Sequence, residues 1–247
     1  MDKVFLEILL FFYHNLAFSN LGLTIIEIAV LSRLVFYPFI KQQVHYSKKM
    51  GELQPHISAL KAKHKDNKQA FSQAQMALFK EHGINPAAGC LPAVVQIVVL
   101  FGLLGAMNQV LKMNLNTEFF FWNMAKADVH TIPGLPFPIP GVLVFLAAIT
   151  QFIQTRMIMP SAPKIRKEDK PGEKEEKTDF MSDFANAQSS MIWMFPLIFL
   201  FFGTQWPSGL ALYWSISSLM AIAQQYRISG LGGLALDVLK LRKLLGK

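Results

Sequence analysis

Charged residues are scarce in this chain, and cysteine is almost absent. Asp, Glu, Lys and Arg make up 16% of the 247 residues, against about 25% in ordinary soluble domains, which argues against a water-soluble domain of this length. The single cysteine, Cys90, excludes an internal disulfide framework, and no Cys/His cluster has the spacing of a zinc site. No apolar run gathers a nucleophile, a base and an orienting group, so the sequence argues against an enzyme and requires no cofactor. Nor does internal symmetry relate the two halves, as it does in many transporters with broken helices at equivalent places.

What the chain has is apolar surface: 52% hydrophobic residues, 21 Phe and 12 Met, with a mean hydropathy of +0.32. A spanning helix needs about 20 mostly apolar residues. Four windows meet that requirement: 21–40, 91–111, 140–159 and 208–226. A fifth, 191–205, is short but nearly free of polar residues, and Trp206-Pro207-Ser208-Gly209 marks a tight turn between it and its successor. The expected fold class is therefore an all-α membrane protein with five transmembrane helices. Residues 1–18 carry Asp2, Lys3, Glu7 and His14 among apolar side chains. They lack the basic start of a signal peptide and read as an amphipathic helix lying in the membrane interface.

The formal net charge is +8, and its distribution sets an orientation. Residues 41–90 hold eight lysines against Glu52, Asp66 and Glu81, and residues 227–247 hold five Lys or Arg against Asp237. Residues 1–20 and 113–139 each hold one lysine against two acids. The positive-inside rule then places 41–90 and the basic tail in the cytoplasm and the N-terminus outside, as an odd number of spans requires. With no transit peptide at the start, the expected location is a bacterial plasma (inner) membrane, multi-pass.

Between the first two spans, Met50, Leu53, Ile57 and Leu60 recur at helical spacing, as do Phe71, Ala74 and Leu78 after the polar turn KHKDNK. That pattern predicts a cytoplasmic antiparallel helical hairpin over 41–88, with Pro55 starting or kinking one helix. Residues 113–139 form an outer loop whose aromatics, EFFFW, suit the membrane–water boundary. Residues 160–188 contain the mixed-charge run IRKEDKPGEKEEKTD and read as a solvated cytoplasmic linker.

Arg33 stands about twelve residues, roughly 18 Å, from the outer end of the first span. An arginine at the centre of a span costs about 2.5–3.5 kcal/mol on insertion scales. Glu27 lies six residues away, about 240° around the helix and 9 Å along it, so the two do not stack as a pair. A buried structural ion pair and a water-filled cavity both remain open, and the cavity is favoured because intramembrane charge defaults to function.

On these residues the chain resembles the YidC family of membrane-protein insertases. The likeness is carried by the intramembrane Arg33 followed by YPFIKQ, by SKKMGELQPHISALKAKHKDNKQ, by MALFKEHGINPAAGCLPAVVQI, and by MFPLIFLFFGTQWPSGLALYW with IAQQY after it. It departs from many relatives at Ala87-Ala88, in Glu27, and in a brief tail that puts ribosome docking through a long extension in doubt. The resemblance implies a five-helix bundle around a polar groove, open to the cytoplasm and laterally to lipid, with Arg33 as the groove arginine. It implies a function as a membrane-protein insertase and chaperone, taking hydrophobic segments of newly made proteins into the bilayer. The implied partners are nascent membrane proteins, the lipid bilayer, the Sec translocon, the ribosome and the signal-recognition-particle receptor. A transporter or channel for an anionic solute bound at Arg33 is the alternative.

Further polar residues fall in the spans. Gln96 matches a family glutamine and reads either as groove or as a helix–helix hydrogen bond. Gln151, Gln154 and Thr155 share one face of the third span, a candidate groove wall. Tyr213 and Trp214 match the family's paired aromatics, which implies substrate contact or packing near Arg33; by themselves they read equally as core or interfacial belt. Ser215, Ser217 and Ser218 let helices approach closely, and Cys90 reads as a packing residue at a helix start.

Overall fold

The computed structural model describes residues 2–64, 67–84, 91–110, 112–134, 136–158, 193–194 and 196–235. It is predominantly helical: α1 Asp2–Asn15, α2 Leu21–Val35, α3 Tyr37–Lys63, α4 Lys68–Glu81, α5 Leu91–Val110 and α6 Val142–Ile158, then α7 over residues 196–202 and α8 Ser208–Ser229. The expected linker 160–188, the tail from 236 onward and Cys90 lie outside the described residues.

The first expected span, 21–40, is not one helix. It breaks at Phe36, and α2 and α3 meet at a 62° bend. Pro38 accounts for the break, because it has no N–H for the carbonyl of Leu34 and its ring collides with that turn. Among the described residues no single helix is long and apolar enough to cross a membrane; α2 and α3 pass that test only together. Shorter apolar stretches run Val95–Val110 and Val142–Ile158. The third expected span, 140–159, is shortened because Pro140 pairs with Val129 in a small hairpin.

α8 is the centre of the bundle. It packs against α2 on one side and α6 on the other, while α5 leans chiefly on α1. Every described residue from Ser208 to Ser215 is buried. Gly209 shows why the helices come so close: a Cβ there would stand 2.6 Å from Ile25 Cδ1 and 3.0 Å from both Met107 Cε and the Met124 carbonyl. On α1, Leu6, Leu9 and Tyr13 form the buried stripe, while Val4, Ile8 and Phe11 make an exposed apolar one. Beyond the bend, α3 and α4 pack through Leu53, Phe79 and Ile84, with Met50, Ile57 and Leu78 alongside. Pro55 lies inside α3, not at a helix start.

The segment 112–141 folds over one end of the bundle as two short antiparallel hairpins, β1 Glu118–Phe119 with β2 Trp122–Asn123 and β3 Val129–His130 with β4 Ile139–Pro140. Its polar groups serve the helix N-termini, whose first N–H groups have no partner within their own helix. The carbonyls of Lys126 and Met124 accept from Ser208 and Gly209 at 2.7 and 3.0 Å, at the start of α8. The Asp128 carboxylate accepts from Leu143 N at 2.7 Å, at the start of α6. The Asn116 carbonyl accepts from Leu21 N at 3.1 Å, at the start of α2, and the Tyr13 hydroxyl of α1 accepts from Asn116 N at 2.7 Å.

Asp128 is buried and caps α6 from outside the helix. Asp128→Ala is therefore expected to destabilise the protein by about 0.5–2 kcal/mol, and Asp128→Asn by less, because the amide oxygen can still accept. Thermal unfolding of the detergent-solubilised protein checks this.

Candidate substrate groove

Arg33 lies in the last turn of α2, three residues before the break, and is half-buried. Being in the last turn, it places a cation near the negative end of the helix dipole. Its backbone carbonyl is among the last four of α2, which lack an intrahelical donor, and it accepts from Gln224 Nε2 of α8 at 3.2 Å. Tyr213, also on α8 and buried, stands within electrostatic reach of the guanidinium.

α8 carries two polar faces about 100° apart. Tyr213, Ser217 and Gln224 follow at +4 and +11, which keeps them on one side, and Gln224 ties that side to α2. Trp214 and Ser218 occupy the adjacent side and meet α6. There Gln151 Oε1 accepts from Trp214 Nε1 at 3.0 Å and from Ser218 Oγ at 3.2 Å. Its own Nε2 donates to Thr155 Oγ1 at 3.3 Å. The Trp214 ring packs edge-on against Phe199 of α7, with centroids 4.7 Å apart. Gln151 and Trp214 thus join two helices, and both polar ends of the Gln151 amide are occupied.

Other polar atoms are buried without an acceptor or donor among the described residues. They include Gln96 Nε2 on α5, Gln154 Oε1 on α6, Ser217 Oγ and Gln224 Oε1 on α8, and Glu27 Oε2 on α2. An unsatisfied buried group costs about 1–3 kcal/mol, and proteins keep such groups where water or another chain can supply the bond. Gln96 and Gln154 make no direct hydrogen bond to Arg33 among the described residues. Gln224 was not singled out in the sequence; its placement three turns after Tyr213 is the signal that marks it.

Comparison with known proteins bears on this arrangement. A family model described as 60Kd inner membrane protein matches residues 11–231. A protein of Bacillus anthracis named membrane protein insertase YidC 2 is 30% identical over 227 residues, covering 90% of this chain and 77% of that protein. The chain belongs to the YidC family. Proteins named membrane protein insertase YidC from Pelobacter propionicus and Rickettsia massiliae are 31% and 33% identical, over 93% and 89% of this chain. The chain spans 38% and 37% of their respective lengths. Membership in the YidC family puts the chain among bacterial inner-membrane proteins, and its helical architecture fits that family.

Gln151→Leu leaves the buried Trp214 N–H and Ser218 hydroxyl without their shared acceptor. It is expected to destabilise the α6–α8 contact by about 1–3 kcal/mol. The check is a lower unfolding midpoint than that of the Thr155→Val control, which removes one weak bond to the same glutamine.

Proposed function

We propose that this chain is a membrane-protein insertase and chaperone whose substrates enter the bilayer through a hydrophilic intramembrane groove centred on Arg33. The observation that carries the reading is a half-buried arginine at the α2–α3 bend, in a bundle whose α5, α6 and α8 hold buried polar atoms without hydrogen-bond partners among the described residues. The names of the family relatives support the same reading. The segment 112–141 faces outward, and the α3–α4 hairpin lies in the cytoplasm, in keeping with its lysines. Nascent membrane proteins are the substrates, with the Sec translocon, the ribosome and the signal-recognition-particle receptor as partners.

The mechanism is electrostatic and solvational, without covalent chemistry. A polar segment crossing hydrocarbon needs its hydrogen-bonding groups satisfied, and a groove reaching partway through the membrane shortens the dry path. At 4 Å and an effective dielectric near 20, the Arg33 guanidinium attracts a substrate carboxylate by about 4 kcal/mol. Desolvation offsets much of that gain, leaving a bias that favours entry and still permits release. Once the polar part has crossed, the hydrophobic part of the substrate partitions into lipid along the exposed apolar faces of α5 and α7, where Ile97, Phe101, Leu197 and Phe201 lie.

Depletion of the protein in its own cell, followed by insertion of a one- or two-span substrate with a short acidic outer segment, tests the proposal. Insertion is expected to fail on depletion, to recover with wild type and Arg33→Lys, and to fall about tenfold with Arg33→Glu, a factor matching 1.4 kcal/mol of lost bias. Full rescue by Arg33→Glu contradicts the groove, and saturable movement of an anionic solute by the protein in liposomes favours a transporter.

A further inference from the structure

A second polar site has a lining that does not include Arg33. At the end of the bundle opposite the cap, a cavity of about 340 Å³ opens between α3, the end of α6 and the end of α8. Its wall includes Ser47, Lys48 and Glu52 of α3, Met157 of α6, Gln225 of α8 and the turn at Gly232. The turn is built to come close. Gly232 has φ +52, and a Cβ there would run into the Met157 carbonyl. The last two carbonyls of α6 are already satisfied, that of Met157 by Gly233 N at 3.3 Å and that of Ile158 by the Ser47 hydroxyl. Ser47 is therefore committed to the fold, and the polar groups left for a ligand are the Lys48 ammonium, the Glu52 carboxylate and Gln225. Gln225 is only 3% exposed, and its Oε1 has no hydrogen-bond partner among the described residues.

These groups ask for two things at once: an anion beside Lys48, and N–H donors for Glu52 and the Gln225 oxygen. Depth narrows the source. Gln225 lies 17 residues along α8 from Ser208, about 26 Å, and Met157 lies 15 residues along α6 from Val142, about 22 Å. The cavity is thus close to one hydrocarbon thickness, about 30 Å, from the cap. With the cap outside, as proposed above, that is the level of the inner-leaflet headgroups, where pockets between spans with basic groups take up lipid.

We propose that this cavity binds the headgroup of an inner-leaflet phospholipid carrying both a phosphate and a primary ammonium, of the phosphatidylethanolamine type. Lys48 pairs with the phosphate, and Glu52 and Gln225 accept from the ammonium. Phosphatidylcholine has the same phosphate and the same net charge, but its nitrogen has no N–H to donate, so it satisfies only half of the site. The inference rests on the orientation given under Proposed function and not on insertase activity.

The test reads lipid retention directly. The purified full-length protein is equilibrated in nanodiscs of equal parts phosphatidylethanolamine, phosphatidylcholine and phosphatidylglycerol, released in mild detergent, and its retained lipid counted by native mass spectrometry. Retention of the ethanolamine lipid over the choline lipid by about tenfold is expected, the factor for one charge-assisted hydrogen bond. The double variant Lys48→Ala/Glu52→Ala, altered only at exposed positions, should bring the two to parity while its unfolding midpoint stays unchanged. Equal retention of the two lipids in the wild type overturns the proposal. So does a preference that survives the double substitution, or phosphatidylglycerol displacing both. Full rescue of insertion by Arg33→Glu with the lipid preference intact would count against the groove alone.

Discussion

A helix that starts inside an apolar bundle leaves N–H groups that neither its own turns nor lipid can satisfy. In this protein one segment, 112–141, meets that demand for α2, α6 and α8 together, through the carbonyls of Asn116, Met124 and Lys126 and the carboxylate of Asp128. The consequence is directional. The starts of all three helices are tied and covered at the same end of the bundle. The exposed Phe120 and Phe121 on the same segment suit the boundary between lipid and water.

At the untied end, backbone and side chain make the same polar request. Pro38 breaks the first long helix and leaves the last carbonyls of α2 short of donors, and Gln224 answers one of them at Arg33. The residue that carries the guanidinium is thereby held to α8 through its backbone, while its side chain is left for electrostatic work. Trp214 and Ser218, on the neighbouring face of α8, lock α6 through Gln151. Both faces join helices, and on the face shared with Tyr213 the Ser217 Oγ and Gln224 Oε1 atoms have no hydrogen-bond partner among the described residues.

Much of this was legible in the sequence, and the reasons for the rest are physical. Apolar runs gave α5, α6 and α8 to within a few residues, and Met50, Leu53 and Ile57 marked the face on which α3 meets α4. Periodicity names a face but not the neighbour opposite it. Gln151 and Trp214 were therefore both selected, yet their mutual bond was not foreseen. The α6 cap was hidden for a similar reason, since Asp128 lies fourteen residues before Val142 and reaches it only through a hairpin. Pro38 was visible in YPFI, but an apolar window counts composition and passes through a proline, so the 62° bend went unread. Phe79 and Ile84, the centre of the α3–α4 contact, fell outside the spacing that marked Phe71, Ala74 and Leu78.

The central claim is a polar interior wetted from the cytoplasmic side, and thiol labelling measures that wetting most directly. In a Cys90→Ala background, single cysteines replace Gln96 and Gln154, both half-buried, and Ile97 and Ile149, which are 53% and 55% exposed on the protein surface. A thiol must be hydrated to form the reactive thiolate. A charged, membrane-impermeant maleimide applied to inverted vesicles is expected to label the two glutamine positions and to leave the two isoleucine positions unlabelled, despite their greater exposure. Labelling of neither pair, or of the isoleucine positions alone, would contradict a water-filled groove.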